Sequence, residues 1–256
     1  MTTELLTERQ GAILVMTLSG PATRNALSPQ VYAAGIETLN MAESDPSVSA
    51  VVLTGGGGHF CGGGDLQRLS HNRQQDPSQQ AGNIDAFHQW IEALRAFPKP
   101  VIAAVEGVAA GGGLSVALAC DLLVAADNAR FVSAYSKVGL STDGGASWHL
   151  SRQLPRGVAL KWLWTGGDAT AQQMQHWGLV HQIEPAGTAL HAALTLAEEL
   201  ASTPANVLAS IKELVNDAPH SSLSEHLGAE KRHFLVNLMR PEAGEAIARF
   251  LQRKSR

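Results

Sequence analysis

Val101-Ile-Ala-Ala-Val-Glu-Gly-Val-Ala-Ala-Gly-Gly-Gly-Leu-Ser-Val-Ala-Leu-Ala-Cys-Asp121 is the stretch on which the reading of the fold depends. Val101 to Val105 is a β-branched apolar run of strand length, and Gly107 ends it. Leu114 to Ala119 continue as small apolar residues suited to a buried helix, so three glycines sit at a helix N-terminus. There the first backbone N–H groups have no intrahelical partner and the helix dipole is positive, a setting for an anion or a developing oxyanion.

A second glycine-rich turn lies upstream, Thr54-Gly-Gly-Gly-Gly-His-Phe-Cys-Gly-Gly-Gly-Asp-Leu66, directly after the apolar run Ala50 to Leu53. Two such turns, each following a strand, could aim two N–H donors at one point, the arrangement of an oxyanion hole. Tight backbone geometry alone is the other use of such glycines.

Working outward, Leu5 to Arg9 and Ile13 to Leu18 read as a hairpin around Gln10-Gly11. Ser28 followed by Pro29 is a helix start, with Val31, Gly35, Thr38 and Leu39 facing inward up to about Ala42. Val48 to Thr54 is the next strand. His71 to Asn83 is rich in Gln, Asn, Asp and Ser and is composed like a mobile loop, while Ile84 to Phe97 has helical spacing. Beyond Asp121 come short strands at 121–125 and 129–132, a polar segment from Tyr135 to Gly145, a helix from about Ala146, a helix at 170–177 and a strand at 179–183. From Gly187 the spacing is helical throughout, at about 187–201, 205–216, 222–239 and 242–253. The expected organisation is an α/β core over residues 1–186 and a helical region over 187–256.

The chain has 256 residues, 45% hydrophobic and 16% charged, and no apolar run approaches the ~20 residues that span a bilayer. Net charge −4 and pI near 6.2 offer no footprint for nucleic acid or an anionic membrane. The N-terminus has no basic segment followed by an apolar core, and Cys61 and Cys120 are two thiols in apolar or glycine-rich context. A cytoplasmic protein with reduced thiols is expected. No H-E-x-x-H or C-x-x-C pattern suggests a metal, neither turn has the Lys-Ser/Thr of a P-loop, and Gly113-Leu-Ser-Val-Ala117 lacks the final glycine of a nucleophile elbow.

Phe60-Cys-Gly-Gly-Gly-Asp-Leu66 resembles the F-C/A-A-G-x-D-L segment of the enoyl-CoA hydratase/isomerase (crotonase) superfamily, and Pro100 to Asp121 resembles its P-V-I-A-A-V-x-G-x-A-x-G-G-G segment. Asn25-Ala26-Leu27 and Trp177-Gly-Leu-Val180 are similar to its N-A-L and W-G-L-V elements. The resemblance implies a crotonase (ClpP-like) fold of repeated ββα units, with C-terminal helices that assemble a homotrimer or a hexamer of paired trimers. It implies acyl-CoA thioester substrates from fatty acid or aromatic acid catabolism. Coenzyme A then arrives as part of the substrate, with no permanently bound cofactor. It assigns the oxyanion-hole donors to Gly62 and Gly112, and the coenzyme A site to Arg24, Ala26, Gly62, Gly64, Asp65, Leu66 and Gly112. Arg249, Arg253, Lys254 and Arg256 are further candidates to meet the coenzyme A phosphates, although a basic tail needs no ligand.

Hydration of a 2-enoyl thioester in this family uses two glutamates. Here Ser115 falls at the first position and Tyr135 at the second, so a two-glutamate hydratase is disfavoured. Asp143 in Gly139-Leu-Ser-Thr-Asp-Gly-Gly145 falls where isomerase branches carry their acid/base, and one carboxylate suffices for a proton shift between two carbons. The competing use of Asp143 is as N-cap of the helix that follows. Phe87-His-Gln-Trp-Ile91 resembles a segment of the 4-chlorobenzoyl-CoA dehalogenase branch, where the histidine activates water, so His88 and Asp143 would allow nucleophilic attack followed by hydrolysis. The readings are therefore an isomerase built on Asp143, a hydratase, a hydrolase using His88, or a non-catalytic thioester-binding protein.

Overall fold

The computed structural model describes residues 2–254, with the side chains of 253 and 254 outside the description. In chain order the elements are β1 (Glu4–Gln10), β2 (Ile13–Ser19), α1 (Pro29–Ser44), β3 (Ala50–Gly55), α2 (Leu66–Asn72), α3 (Pro77–Ala96), β4 (Val101–Val105), β5 (Val108–Ala110) and α4 (Gly112–Ala119). There follow β6 (Leu122–Ala126), β7 (Arg130–Val132), α5 (Ala146–Gln153), α6 (Arg156–Thr165), β8 (Asp168–Thr170), α7 (Ala171–His176), β9 (Gln182–Glu184), α8 (Ala189–Ala201), α9 (Ala205–Asp217), α10 (Leu223–Leu238) and α11 (Pro241–Lys254).

Six strands form one sheet in the order β1-β2-β3-β4-β6-β9, parallel except for the β1–β2 hairpin. All five residues of β4 are buried, as expected of a central parallel strand covered on both faces. A second sheet, β5-β7-β8, receives the chain after β4 and β6. Cys61 bridges to Ala109 of β5, so the chain leaving β3 joins this second sheet as well. Successive units therefore follow one plan: a strand in the large sheet, a short extended step beside the small one, then helix.

Three features depart from the sequence reading. The Gln-rich segment 71–83 is mostly helical: α2 runs to Asn72 and α3 begins at Pro77, leaving only 73–76 as a link. Asp76 caps α3 by accepting from Ser78 N at 2.9 Å, and Pro77 sits at the first helical position. The polar composition marks an exposed face, not an irregular backbone. The short strands β5 and β8 have too few residues for a periodicity, and β9 lies later than the 179–183 run.

The chain divides into two compact units, 1–199 and 200–256, whereas the helical composition begins at 187. Most of α8 belongs to the first unit. The Glu106 carboxylate, just after β4, accepts from Gly187 N at 3.0 Å and Ala189 N at 2.9 Å, and the buried side of α8 is all alanine. The second unit contains α9, α10 and α11, and neither α9 nor α10 has a buried residue. No helix among the described residues is long and apolar enough to cross a membrane.

Candidate active site

The two glycine turns meet. Gly63 has φ +92°, and a Cβ there would stand 2.6 Å from Ala110 O and 3.4 Å from Gly112 N. Gly113 faces Cys61 equally closely, with a hypothetical Cβ 2.5 Å from Cys61 O. Only glycine permits this approach.

The first turn is clasped by Asn25, which is fully buried at φ +57°. Its amide nitrogen donates to the carbonyls of Gly56 (2.9 Å), His59 (2.7 Å) and Phe60 (3.3 Å), and its Oδ1 accepts from Gly20 N at 2.9 Å. The N-A-L element thus satisfies carbonyls that an irregular turn leaves without strand partners. Arg24, beside it, is exposed and contributes its backbone: Gly62 N–H donates to Arg24 O at 2.7 Å.

That bond corrects the donor expected at Gly62, whose hydrogen is already committed. Gly64 N–H, two residues on, has no acceptor among the described residues, and neither has Gly112 N–H at the first position of α4. Both glycines line one cleft of about 530 Å³, and Gly112 sits at the positive end of the α4 dipole. The pair of free N–H groups is therefore Gly64 and Gly112.

The same cleft is lined by Gly62, Leu66, His88, Tyr135 and Asp143, all singled out by the sequence. Arg24, Ala26 and Asp65 lie outside its lining. Asp65 caps α2, accepting from Gln67 N at 2.9 Å and Arg68 N at 3.2 Å. Arg249 is exposed in the second unit, and the side chains of Arg253 and Lys254, like the whole of Arg256, lie outside the described residues.

Asp143 does not cap a helix. The residue at the start of α5 is Gly145, with no side-chain cap, and the Asp143 carboxylate turns to Tyr135 instead. The Tyr135 hydroxyl donates to Asp143 Oδ1 at 2.6 Å, while the fully buried Ser115 hydroxyl lies 3.0 Å from Asp143 O and 3.1 Å from the Tyr135 oxygen. Burial, and then the neighbouring carboxylate, push the Tyr135 phenol far above its ordinary value, so it stays protonated and donates. The two residues that replace glutamates thus form a hydroxyl pair holding the one carboxylate among the described residues of the cleft lining.

His88 lines the cleft beside Phe87, with no hydrogen bond joining it to Asp143 among the described residues. The sequence reading passed over Tyr32, which is 6% exposed, lines the cleft, and stacks at 5.1 Å from Phe87 and 6.1 Å from Trp90. Its spacing to Gly35 and Leu39 on α1 could have marked it as inward-facing; nothing in that spacing marks its hydroxyl as part of a cleft.

The enoyl-CoA hydratase/isomerase family profile matches residues 8–255. A 1,2-epoxyphenylacetyl-CoA isomerase of Escherichia coli (strain K12) is 32% identical over 98% of this chain and 96% of its own length. A 2,3-dehydroadipyl-CoA hydratase of the same organism is 34% identical over 98% and 97%. The crystal structure of an enoyl-CoA hydratase from Polaromonas sp. JS666 superposes with a TM-score of 0.96 at 51% identity, covering 97% of each chain. Matched along its whole length, in its glycine turns and in its crotonase fold, the chain belongs to the enoyl-CoA hydratase/isomerase family.

Proposed function

We propose that this protein catalyses a proton shift on an enoyl-CoA or ring-derived CoA thioester, with Asp143 as the single acid/base. The observation that carries the reading is the short Tyr135–Asp143 hydrogen bond in a cleft that holds no other carboxylate among its described lining residues. The Asp143 carboxylate removes a proton from carbon, the electron pair moves onto the thioester oxygen, and the enolate accepts hydrogen bonds from Gly64 and Gly112 N–H. Collapse of the enolate with protonation at a different carbon by the same carboxyl group moves the double bond and restores the enzyme. Tyr135 holds Oδ1, which leaves Oδ2 to work on substrate; Ser115 supports the Asp143 backbone. Arg24 and Ala26 beside the first turn, with Leu66 at the mouth, receive coenzyme A, which comes and goes with the substrate. Hydration by two glutamates has no residues to run on here.

The test is deuterium incorporation from heavy water into straight-chain and ring-derived enoyl-CoA thioesters, following label and double-bond position. Label and bond migration that vanish in Asp143→Asn support the reading. Tight thioester binding with no exchange in any substrate sinks it in favour of a binding protein. His88 in the same cleft favours one other chemistry, attack by Asp143 and hydrolysis by His88-activated water; halide release from a haloaryl-CoA thioester, lost in His88→Gln, is its signature.

The second unit supports assembly into a homotrimer, or paired trimers. α9 to α11 leave Phe234 66%, Met239 77% and Phe250 61% exposed, more large apolar surface than an isolated helical unit keeps in water.

A further inference from the structure

One polar group in the acyl cleft has no part in the proton shift. Tyr32 enters from α1, its ring lying against Phe87 at 5.1 Å. The edge of Phe87 reaches Gly112, where a Cβ would be 3.4 Å from its Cζ, so Tyr32 stands one aromatic ring beyond the free Gly112 N–H. The Arg68 guanidinium is close enough for its charge to act on the Tyr32 phenol, and it is anchored by donating from Nη2 to Leu27 O at 2.8 Å. A guanidinium has donors only, so it cannot take the Tyr32 hydroxyl hydrogen, which is left to donate elsewhere. No described residue takes that hydrogen. The hydroxyl oxygen is not among the fully buried unpartnered atoms, so from a residue that is otherwise nearly buried it opens to the cleft, where a ligand oxygen can take the place of water. Burial pushes the Tyr32 phenol up to about 12, with the Asp143 charge adding to the rise, so the hydrogen is present across the working pH range.

Resting on the acyl-CoA reading, we propose that Tyr32, backed by Arg68, is a polar subsite at the distal part of the acyl cleft, and that it accepts acyl groups bearing a neutral oxygen, such as a hydroxyl, oxo or ring-ether oxygen, on a carbon beyond the reacting ones. One hydroxyl donor matches one oxygen acceptor. The surrounding Phe87, Ile84 and Leu69 match the hydrocarbon part of such a group. A site built around a hydrogen bond discriminates strongly against an analogue that lacks the partner atom, because the buried donor is then left unpaired.

The test measures binding, so it does not depend on turnover. Hexanoyl-CoA and its 4-, 5- and 6-hydroxy derivatives, all without the reactive double bond, are titrated calorimetrically into the full-length protein. At least one hydroxy isomer is expected to bind roughly tenfold tighter than hexanoyl-CoA. In Tyr32→Phe that ratio falls to about one, and in Arg68→Met it falls part of the way; a merely structural role for Tyr32 would weaken both ligands together and leave the ratio intact. Equal binding of all four thioesters by the wild type, or an unchanged ratio in Tyr32→Phe with a native thermal unfolding curve, overturns the subsite and leaves the acyl-CoA reading standing. Failure of every thioester to bind overturns both.

Discussion

At the scale of single residues, the site is decided by how a few hydrogens are allocated. Tyr135 has one hydroxyl proton and spends it on Asp143 Oδ1 at 2.6 Å. A hydrogen bond to a charged acceptor contributes about 1.5–3 kcal/mol, so Tyr135→Phe should lower kcat for bond migration roughly 10- to 100-fold, with a smaller change in KM. Steady-state kinetics on the best isomerisation substrate checks this. Asn25 spends its amide on three carbonyls of the first glycine turn. Asn25→Ala leaves those carbonyls buried and unpaired, and should cost about 2–4 kcal/mol in urea unfolding while removing the exchange activity, because Gly64 N–H loses its place. Asn25 was legible as part of a motif; its work as a clasp was not, since its partners lie a strand and a helix away in sequence.

At the scale of elements, α1 and α5 show buried polar side chains being held for structural reasons. Lys99 is 9% exposed and donates from Nζ to Ala42 O at 2.6 Å and Asp45 O at 2.7 Å, closing the C-terminal end of α1. Lys99→Met keeps the aliphatic stem but removes the ammonium from both carbonyls, leaving Asp45 O with only Val48 N–H at 3.1 Å, and should lower stability by about 1–3 kcal/mol in chemical unfolding with little effect on substrate affinity. His149 on α5 is 2% exposed, with Nδ1 unpartnered. Burial first, then the Arg95 and Arg152 charges, depress its pKa to about 4. The folded form therefore holds the neutral ring while the unfolded chain titrates near ~6.5, so the unfolded state binds more protons between those values. This contribution is complete above about pH 6.5 and is lost as pH falls toward 4, by up to about 3 kcal/mol. The Tm of wild type should fall across that window, and the fall should be shallower in His149→Phe. The helix starts Ser28-Pro29 and Thr170 were readable because caps are local chemistry; Asp76-Pro77 carried the same signal beneath a polar composition.

At the scale of the whole molecule, the two glycine turns could be recognised before any fold was known, because glycine runs after apolar strands have few uses and two in order have fewer. The second unit's exposed Phe234 and Met239 carry the expectation of self-assembly: light scattering should give a mass of three or six copies of the 27.0 kDa chain, and the double change Phe234→Glu with Met239→Glu should shift it toward one. The amino-acid sequence by itself determined the main strands of the large sheet and most of the longer helices, the family, and the replacement of two glutamates by Ser115 and Tyr135, since these depend on residue type and spacing along one chain. Only the tertiary structure decided that Gly62 is committed to Arg24 O while Gly64 is free, that Asp143 turns to Tyr135 instead of capping α5, and that Tyr32 joins the cleft. Each of these is a choice among partners for a single polar group, and the partners exist only after distant segments have been packed against one another.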